Sequence, residues 1–305
     1  MGKYVVKRIF ISLLTVLVLV TVVFLLVRLM PGDPFNDPKI TPTVRDNLNA
    51  YYGLDKPILQ QYTTYLGNLL RGNFGYSMKY SNQTVNGLLA SSFPYSFDLG
   101  IRALVWSLSF GIVFGIISAL NRGNKIDLLF VVVAVIGTSV PDFIMGAILQ
   151  YFFSIKWGLL PIAQYKGFSY TILPAIALGF YTMASISRIM RASILEVVQQ
   201  DYIKTAKSKG ISKFRIVWKH QFRNAIMPVV TVLGPSIAAV LTGTFVIESI
   251  FAIPGMGKYY VEGVQNLDYS MILGTTVFYG TFLVFANMFV DILYGFVDPR
   301  VRIAK

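Results

Sequence analysis

No cysteine and a single histidine, His220, occur in the 305 residues. A disulfide framework and a thiolate metal site are therefore excluded, and one histidine without partners supports neither metal ligation nor catalysis. Charge is scarce as well: 13% of residues are charged, against roughly 25% in soluble domains. Acidic residues are the rarer sign, 14 against 27 Lys and Arg, for a net charge of +13. No segment reads Gly-x-x-x-x-Gly-Lys-Ser/Thr, so the chain has no phosphate-cradling loop of its own. Gly255-Met-Gly-Lys258 comes nearest and lacks the first glycine and the hydroxyl residue. Abundance lies elsewhere. Hydrophobic residues make up 55% and mean hydropathy is +0.62, the composition of an all-α, polytopic membrane protein.

Ile9 to Val27 carries no charge, and sixteen of its nineteen residues are Leu, Ile, Val or Phe. At ~1.5 Å per residue it covers about 28 Å, close to the roughly 30 Å hydrocarbon core. It is longer than a signal-peptide core and lacks a small-residue cleavage site, so it reads as a retained first helix behind Lys3, Lys7 and Arg8. Five more spans are expected, for six transmembrane helices in all. Leu99 to Leu120 is the second, with Gly111 and Gly115 spaced for close packing. Leu128 to Phe153 is the third and carries Pro141 and Asp142 near its middle. Tyr170 to Ile186 is the fourth and continues past Arg188. Ile226 to Phe251, interrupted by Pro228 and Pro235, is the fifth and holds Glu248; Met271 to Phe296 is the sixth and holds Asp291.

Between the first two spans, Met30 to Tyr95 is the only long polar stretch, and its five basic residues are balanced by four acidic ones, as expected of an external segment. The division that follows is 1–30 for the N-terminus and first helix and 31–97 for an external loop subdomain. A core at 98–297 contains a basic hairpin at 188–224, and a tail occupies 298–305. The N-terminus, the short loop after the second span, the hairpin and the tail hold 17 of the 27 basic residues. By the positive-inside rule these pieces, and both termini, are cytoplasmic, and the excess charge calls for a lipid bilayer and no nucleic acid.

The hairpin collects nine Lys or Arg residues. In Asp201-Tyr-Ile-Lys-Thr-Ala-Lys-Ser-Lys-Gly210, Asp201 suits a helix start, Lys204, Lys207 and Lys209 its C-terminal half, and Gly210 the left-handed residue that ends it. Tyr202, Ala206 and Gly210 fall on one helix face. Two readings stand: a small-residue face on which a partner docks, or an interfacial linker with snorkelling lysines. The second helix, from Ser212 to about Asn224, sets Phe214, Val217, Trp218 and Phe222 beside a stripe of Arg215, Lys219 and Arg223, the pattern of a helix at the headgroup level. Asp142 beside Pro141 either faces a translocation pathway, where it would meet a substrate ammonium, or pairs with a cation of another subunit, or lies nearer an interface. Glu248 and Asp291, near helix ends, read as structural charges bonded to the following Pro-Gly turn and to the Asp298-Pro-Arg300 tail.

The hairpin, followed by His220-Gln-Phe-Arg-Asn-Ala225 and Pro228, resembles the cytoplasmic signature loop of ABC importer permeases, in the version found in oligopeptide and dipeptide permease subunits. Arg28-Leu-Met-Pro-Gly-Asp-Pro34, Leu54-Asp-Lys-Pro57, Gln61-Tyr62, Gly72-Asn-Phe-Gly-Tyr-Ser77, Glu248-Ser-Ile-Phe-Ala-Ile-Pro-Gly-Met-Gly257 and Asp298-Pro-Arg300 resemble that family's landmarks in its order. Where the wider signature has Glu-Ala-Ala, this chain has Asp201-Tyr-Ile, and its spacing from Gly210 to Pro228 is longer. The resemblance implies a type I importer permease fold in a bacterial inner or plasma membrane. It implies a coupling helix at Asp201 to Gly210 in which Asp201, Tyr202, Thr205, Ala206, Lys207 and Gly210 meet an ATPase. The implied partners are a second homologous permease, two ABC subunits that bind ATP and Mg, and an extracytoplasmic peptide-binding protein. No cofactor, metal site or catalytic residue is expected in this chain.

The same fold would also serve nickel complexes or other small solutes. An ATP-independent secondary carrier would call for inverted repeats, and the prolines of the third, fourth and fifth spans do not repeat. An intramembrane enzyme would require a histidine or paired carboxylates at membrane depth, and neither occurs.

Overall fold

A computed structural model describes residues 2–29, 41–53, 55–80, 83–241 and 245–297. In these, every regular element is helical, apart from an isolated bridge between Tyr76 and Thr84. In chain order the helices are α1 (Gly2–Leu29), α2 (Pro42–Tyr52), α3 (Ile58–Leu70), α4 (Val85–Leu120), α5 (Lys125–Ser139), α6 (Asp142–Leu149) and α7 (Ser169–Val198). They continue with α8 (Asp201–Ser208), α9 (Lys213–Arg215), α10 (Arg223–Ala225), α11 (Met227–Leu241), α12 (Phe245–Ile250), α13 (Gly257–Gln265) and α14 (Tyr269–Val297). Wider π-helical turns extend α6 over Gln150–Lys156 and join α9 to α10 over Ile216–Phe222. The landmarks at 30–34, Leu54 and 298–300 lie outside the described residues.

Two compact units emerge, one of Met1–Phe97 with Pro254–Met288 and one of Asp98–Ile253 with Phe289–Lys305. In the first, one stripe of α1 (Val20, Val23, Phe24 and Val27) is buried with Tyr51, Tyr65, Tyr269 and Val277. Phe24 stacks on Tyr65 at 5.6 Å between ring centroids, and Thr21 and Tyr62 share a hydrogen bond of 2.6 Å. Leu13, Leu14, Leu17, Val18 and Leu25 remain exposed, which a helix tolerates where the surrounding medium is hydrocarbon.

The second span begins well before Leu99. Thr84 starts α4: its hydroxyl accepts the Gly87 amide at 3.1 Å and its carbonyl the Leu88 amide at 3.1 Å. Val85, Leu88 and Leu89 are then buried with Met256 and Met271. The cap and this apolar anchor extend the helix into the stretch assigned above to an external loop.

In the second unit α7 is the central element, with Leu173, Ala177, Met183, Ile186, Met190 and Ile194 all buried. It continues unbroken past Arg188, as expected. The α4 glycines allow close approach: a Cβ on Gly111 would fall 2.8 Å from the Met183 carbonyl, and one on Gly115 would fall 2.6 Å from the Met190 Cβ. On the α5 side, a Cβ on Gly137 would meet that of Ala184 at 2.6 Å.

The expected third span is not one straight helix. The chain bends by 115° between Lys125–Ser139 and Asp142–Lys156. Pro141 supplies the reason, since it has no amide hydrogen and excludes helical geometry from the residue before it. Val140 is accordingly extended, at φ −90° and ψ 122°. Among the described residues, four helices are long and apolar enough to cross a membrane, and this bent pair makes a fifth if it counts as one span. Met227–Ile237 is apolar but shorter. Pro228 sits in the first turn of α11 and Pro235 inside it, so neither ends that helix; the described chain resumes at α12, beyond residues 242–244.

Candidate functional site

The hairpin is built by its capping geometry. Gln200, extended at φ −70° and ψ 146°, opens α8, and its carbonyl accepts the amides of Ile203 and Lys204 at 3.0 and 3.3 Å. Asp201 is therefore the first helical residue rather than the cap. Its carboxylate favours the helix N-terminus and pairs with Lys204 at 2.8 Å. At the other end Gly210 has φ +71°. Its amide reaches the Lys207 carbonyl at 2.9 Å and the Ile211 amide reaches that of Ala206 at 3.3 Å, the two bonds of a Schellman termination. Gly210 thus plays the role its sequence position suggests.

The face on which the docking reading was placed turns out differently. Ala206 is only 5% exposed and Ile203 is fully buried; both pack on Ile216, with Val197 and Ile211 at the edge. Ala206 has room for little more than a methyl group because Ile216, on the returning helix of the hairpin, packs against it. Tyr202 is exposed, with its hydroxyl accepting the Asn224 Nδ2 at 3.0 Å. Lys204, Thr205, Lys207 and Ser208 complete the outward face. On the second helix, Phe214 and Trp218 are exposed while Val217 and Phe222 pack on a core that includes Met190 and Ile194. The headgroup stripe is thus half a packing surface. Gln221 is buried there.

Sequence reasoning missed Asp127 and Arg191. The Arg191 guanidinium donates to both carboxylate oxygens of Asp127 at 2.8 Å each. Ser118 Oγ donates to the same carboxylate at 2.6 Å and the Gly123 amide at 3.0 Å. The Asp127 carboxylate is buried and Arg191 is partly exposed, and the pair ties the loop after α4 to α7 at the start of the hairpin. Its signal in the sequence was one acidic and one basic residue at the ends of neighbouring spans.

Above that pair a cavity of about 780 Å³ opens between α5 and α7, walled by Thr138, Ser139, Ser185, Ser187, Arg188 and Arg191 among others. A second cavity, of about 380 Å³, shares Thr138 and Ser139 and adds Pro141, Asp142, Tyr181 and Thr182. Asp142 is half-buried at the start of α6, and its Oδ1 accepts the Phe143 amide at 2.8 Å.

Glu248 is 1% exposed, and its main-chain carbonyl accepts the Ile253 amide at 2.8 Å. Asp291 is half-buried in α14, and the tail expected to bond it lies outside the described residues. The loop between α6 and α7 is pinned by Tyr165, whose hydroxyl donates to Asp98; burial and that carboxylate push the phenol up to about 12.

In the first unit Asp268 was also missed. Its Oδ1 accepts the Met271 amide at 3.0 Å, capping α14, while Oδ2 accepts Ser77 Oγ at 2.5 Å and the amides of Met78 and Lys79 at 3.0 and 3.1 Å. An aspartate ahead of an apolar run was the signal. Nearby, Tyr80 donates to Glu262. Burial would raise the Glu262 carboxyl, but that hydrogen bond and the charges of Lys258 and Lys79 hold it below its ordinary value.

Several long apolar helices with a capped basic hairpin between them are the construction of a multi-pass membrane protein. The family model described as "Binding-protein-dependent transport system inner membrane component" matches residues 111–303, and the N-terminal model of the same component matches residues 1–100. A dipeptide transport system permease protein of Bacillus subtilis is 45% identical over 306 aligned positions, covering 100% of this chain and 99% of that protein. An oligopeptide transport system permease protein of Haemophilus influenzae is 41% identical, covering 99% and 100% respectively. A dipeptide transport system permease protein of Lactococcus lactis is 40% identical with the same coverage. The chain belongs to the family of inner membrane components of binding-protein-dependent transport systems. It is a multi-pass permease subunit of an ABC importer, and its role is transport rather than catalysis.

Proposed function

We propose that this chain forms half of a translocation pathway for short peptides, and that α8 couples it to ATP hydrolysis in separate subunits. The observation that carries the coupling role is the two-faced construction of α8. Its inner face is locked into the hairpin through Ile203 and Ala206, and its outer face offers Tyr202, Thr205 and Lys207 to a partner. A helix held this way moves as one body with α7 when pushed. The peptide assignment is supported by the dipeptide and oligopeptide permease proteins that this chain resembles along its whole length.

In this reading a second homologous permease completes the pathway, two ABC subunits bind ATP and Mg, and an external binding protein delivers the peptide. ATP-driven closure of the ABC subunits is transmitted through α8 and alternates the access of the pathway. Both termini and the hairpin face the cytoplasm, in keeping with the concentration of basic residues there. The tail is included by charge alone.

The test separates the two faces of α8. In the purified complex, Lys207→Glu together with Thr205→Arg is expected to abolish peptide-stimulated ATP hydrolysis with unchanged thermal stability of the permease. Ala206→Leu is expected to destabilise the hairpin by about 1–3 kcal/mol through overpacking. Full peptide-stimulated hydrolysis in the outer-face variant would overturn the coupling role.

A further inference from the structure

Among the described residues, Arg188 and Asp142 are the two charges in the cavity walls that form no ion pair. Asp127 and Arg191 cancel each other through two bonds of 2.8 Å. Arg188, one turn before Arg191, is exposed and makes no ion pair among the described residues. Asp142 is held only by the neighbouring Phe143 amide there. Arg188 belongs to the larger cavity, Asp142 to the smaller, and Thr138 and Ser139 to both.

The separation of the two cavity ends is gauged along α7. Tyr181 lines the smaller cavity beside Asp142 and lies seven residues from Arg188, on the same face of the helix. Seven residues rise about 10 Å, and about 10 Å is also the reach of three residues of extended chain. Thr138 and Ser139 line both cavities and Ser185 lines the larger; the Thr138 hydroxyl donates to the Ala134 carbonyl at 3.1 Å and keeps its lone pairs for an incoming donor. Asp142 lies in the bent third span, where a charge costs about 3 kcal/mol on the insertion scale and faces a water-filled cavity or a partner, while Arg188 stands exposed at the hairpin end of α7.

We infer that the linked cavities form a dipolar subsite for a short zwitterionic peptide, with the peptide ammonium at Asp142, its carboxylate on the Arg188 guanidinium, and its backbone served by the hydroxyls of Thr138 and Ser139. A guanidinium left without a carboxylate of its own is suited to a terminal carboxylate in two-point fashion. The orientation follows from the signs: amino end toward the Pro141 bend, carboxyl end toward the hairpin. This inference rests on the peptide reading above and adds the polarity and length of the cargo.

The experiment uses the whole transporter, reconstituted with its ATPase subunits and binding protein, and labelled trialanine as the probe. The quantity measured is peptide imported per ATP hydrolysed. Asp142→Asn and Arg188→Gln are each expected to lower it about tenfold, the loss of one charge-assisted contact, while Asp142→Glu keeps most of it and Arg188→Lys, which keeps the charge and loses the two-point geometry, falls between wild type and Arg188→Gln. A matched specificity change is expected with trialanine amide, whose import Arg188→Gln leaves at the wild-type level. Neutral variants that import trialanine as well as wild type, or charge-retaining variants that fall as far as neutral ones, would overturn the subsite. A wild-type complex that imports no short peptide at all would instead sink the peptide reading.

Discussion

Arg188 and Arg191 stand one turn apart on the same helix and do different work. Arg191 donates its Nε and Nη2 hydrogens to Asp127, which also accepts from Ser118 Oγ and the Gly123 amide. Arg188 has an open cavity before it and no acidic partner among the described residues. Two identical side chains one turn apart thus divide into one that fastens the chain and one that faces a cavity. A buried carboxylate paired within its own chain is costly to strip of its partner, whereas an exposed arginine beside a cavity is open to a partner from outside. Residue type cannot make that distinction, because it depends on what stands opposite.

The comparison breaks most readily at the fastener. Arg191→Ala leaves the Asp127 carboxylate buried without its counter-charge and is expected to cost about 3–5 kcal/mol, read as a lowered melting temperature of the detergent-solubilised subunit. Adding Asp127→Leu should restore much of that loss, and a double variant as unstable as the single one would show that the pair is not the source. An intermediate effect is expected at Asp268, whose donors are a hydroxyl and backbone amides rather than a cation. Asp268→Ala should cost about 2–3 kcal/mol through unsatisfied buried donors and a lost helix cap. The smallest effect belongs to the exposed Asp201–Lys204 pair. Lys204→Ala should shift stability by less than about 0.5 kcal/mol, and a larger loss would assign that pair a structural role.

The hairpin teaches the same lesson through a residue without charge. Spacing alone placed Tyr202, Ala206 and Gly210 on one side of a helix, but Ala206 is turned into the hairpin, Tyr202 is exposed, and Gly210 lies past the end of α8. Small size was read as room for a partner, whereas Ala206 is small because Ile216 of the same hairpin presses on it. Gly210 was legible because its need is local: a left-handed residue ends α8 whatever lies around it. The start of α4 was equally local, since Thr84 carries the cap, yet the polarity of the preceding stretch concealed it.

The sequence by itself determined the membrane class, the long spans, the close glycine contacts of α4, the turn at Gly210 and the family. Each follows from hydrophobic run length, backbone geometry or a collinear set of motifs, and these are properties of neighbouring residues. Only the tertiary structure decided that the third span bends by 115° at Pro141, that Ala206 faces inward, and that Asp127 belongs to Arg191 while Arg188 is left to the cavity. Those outcomes depend on which side chains far apart in the chain are brought within reach of one another. A charge acquires its role from its partner, and the fold supplies the partner.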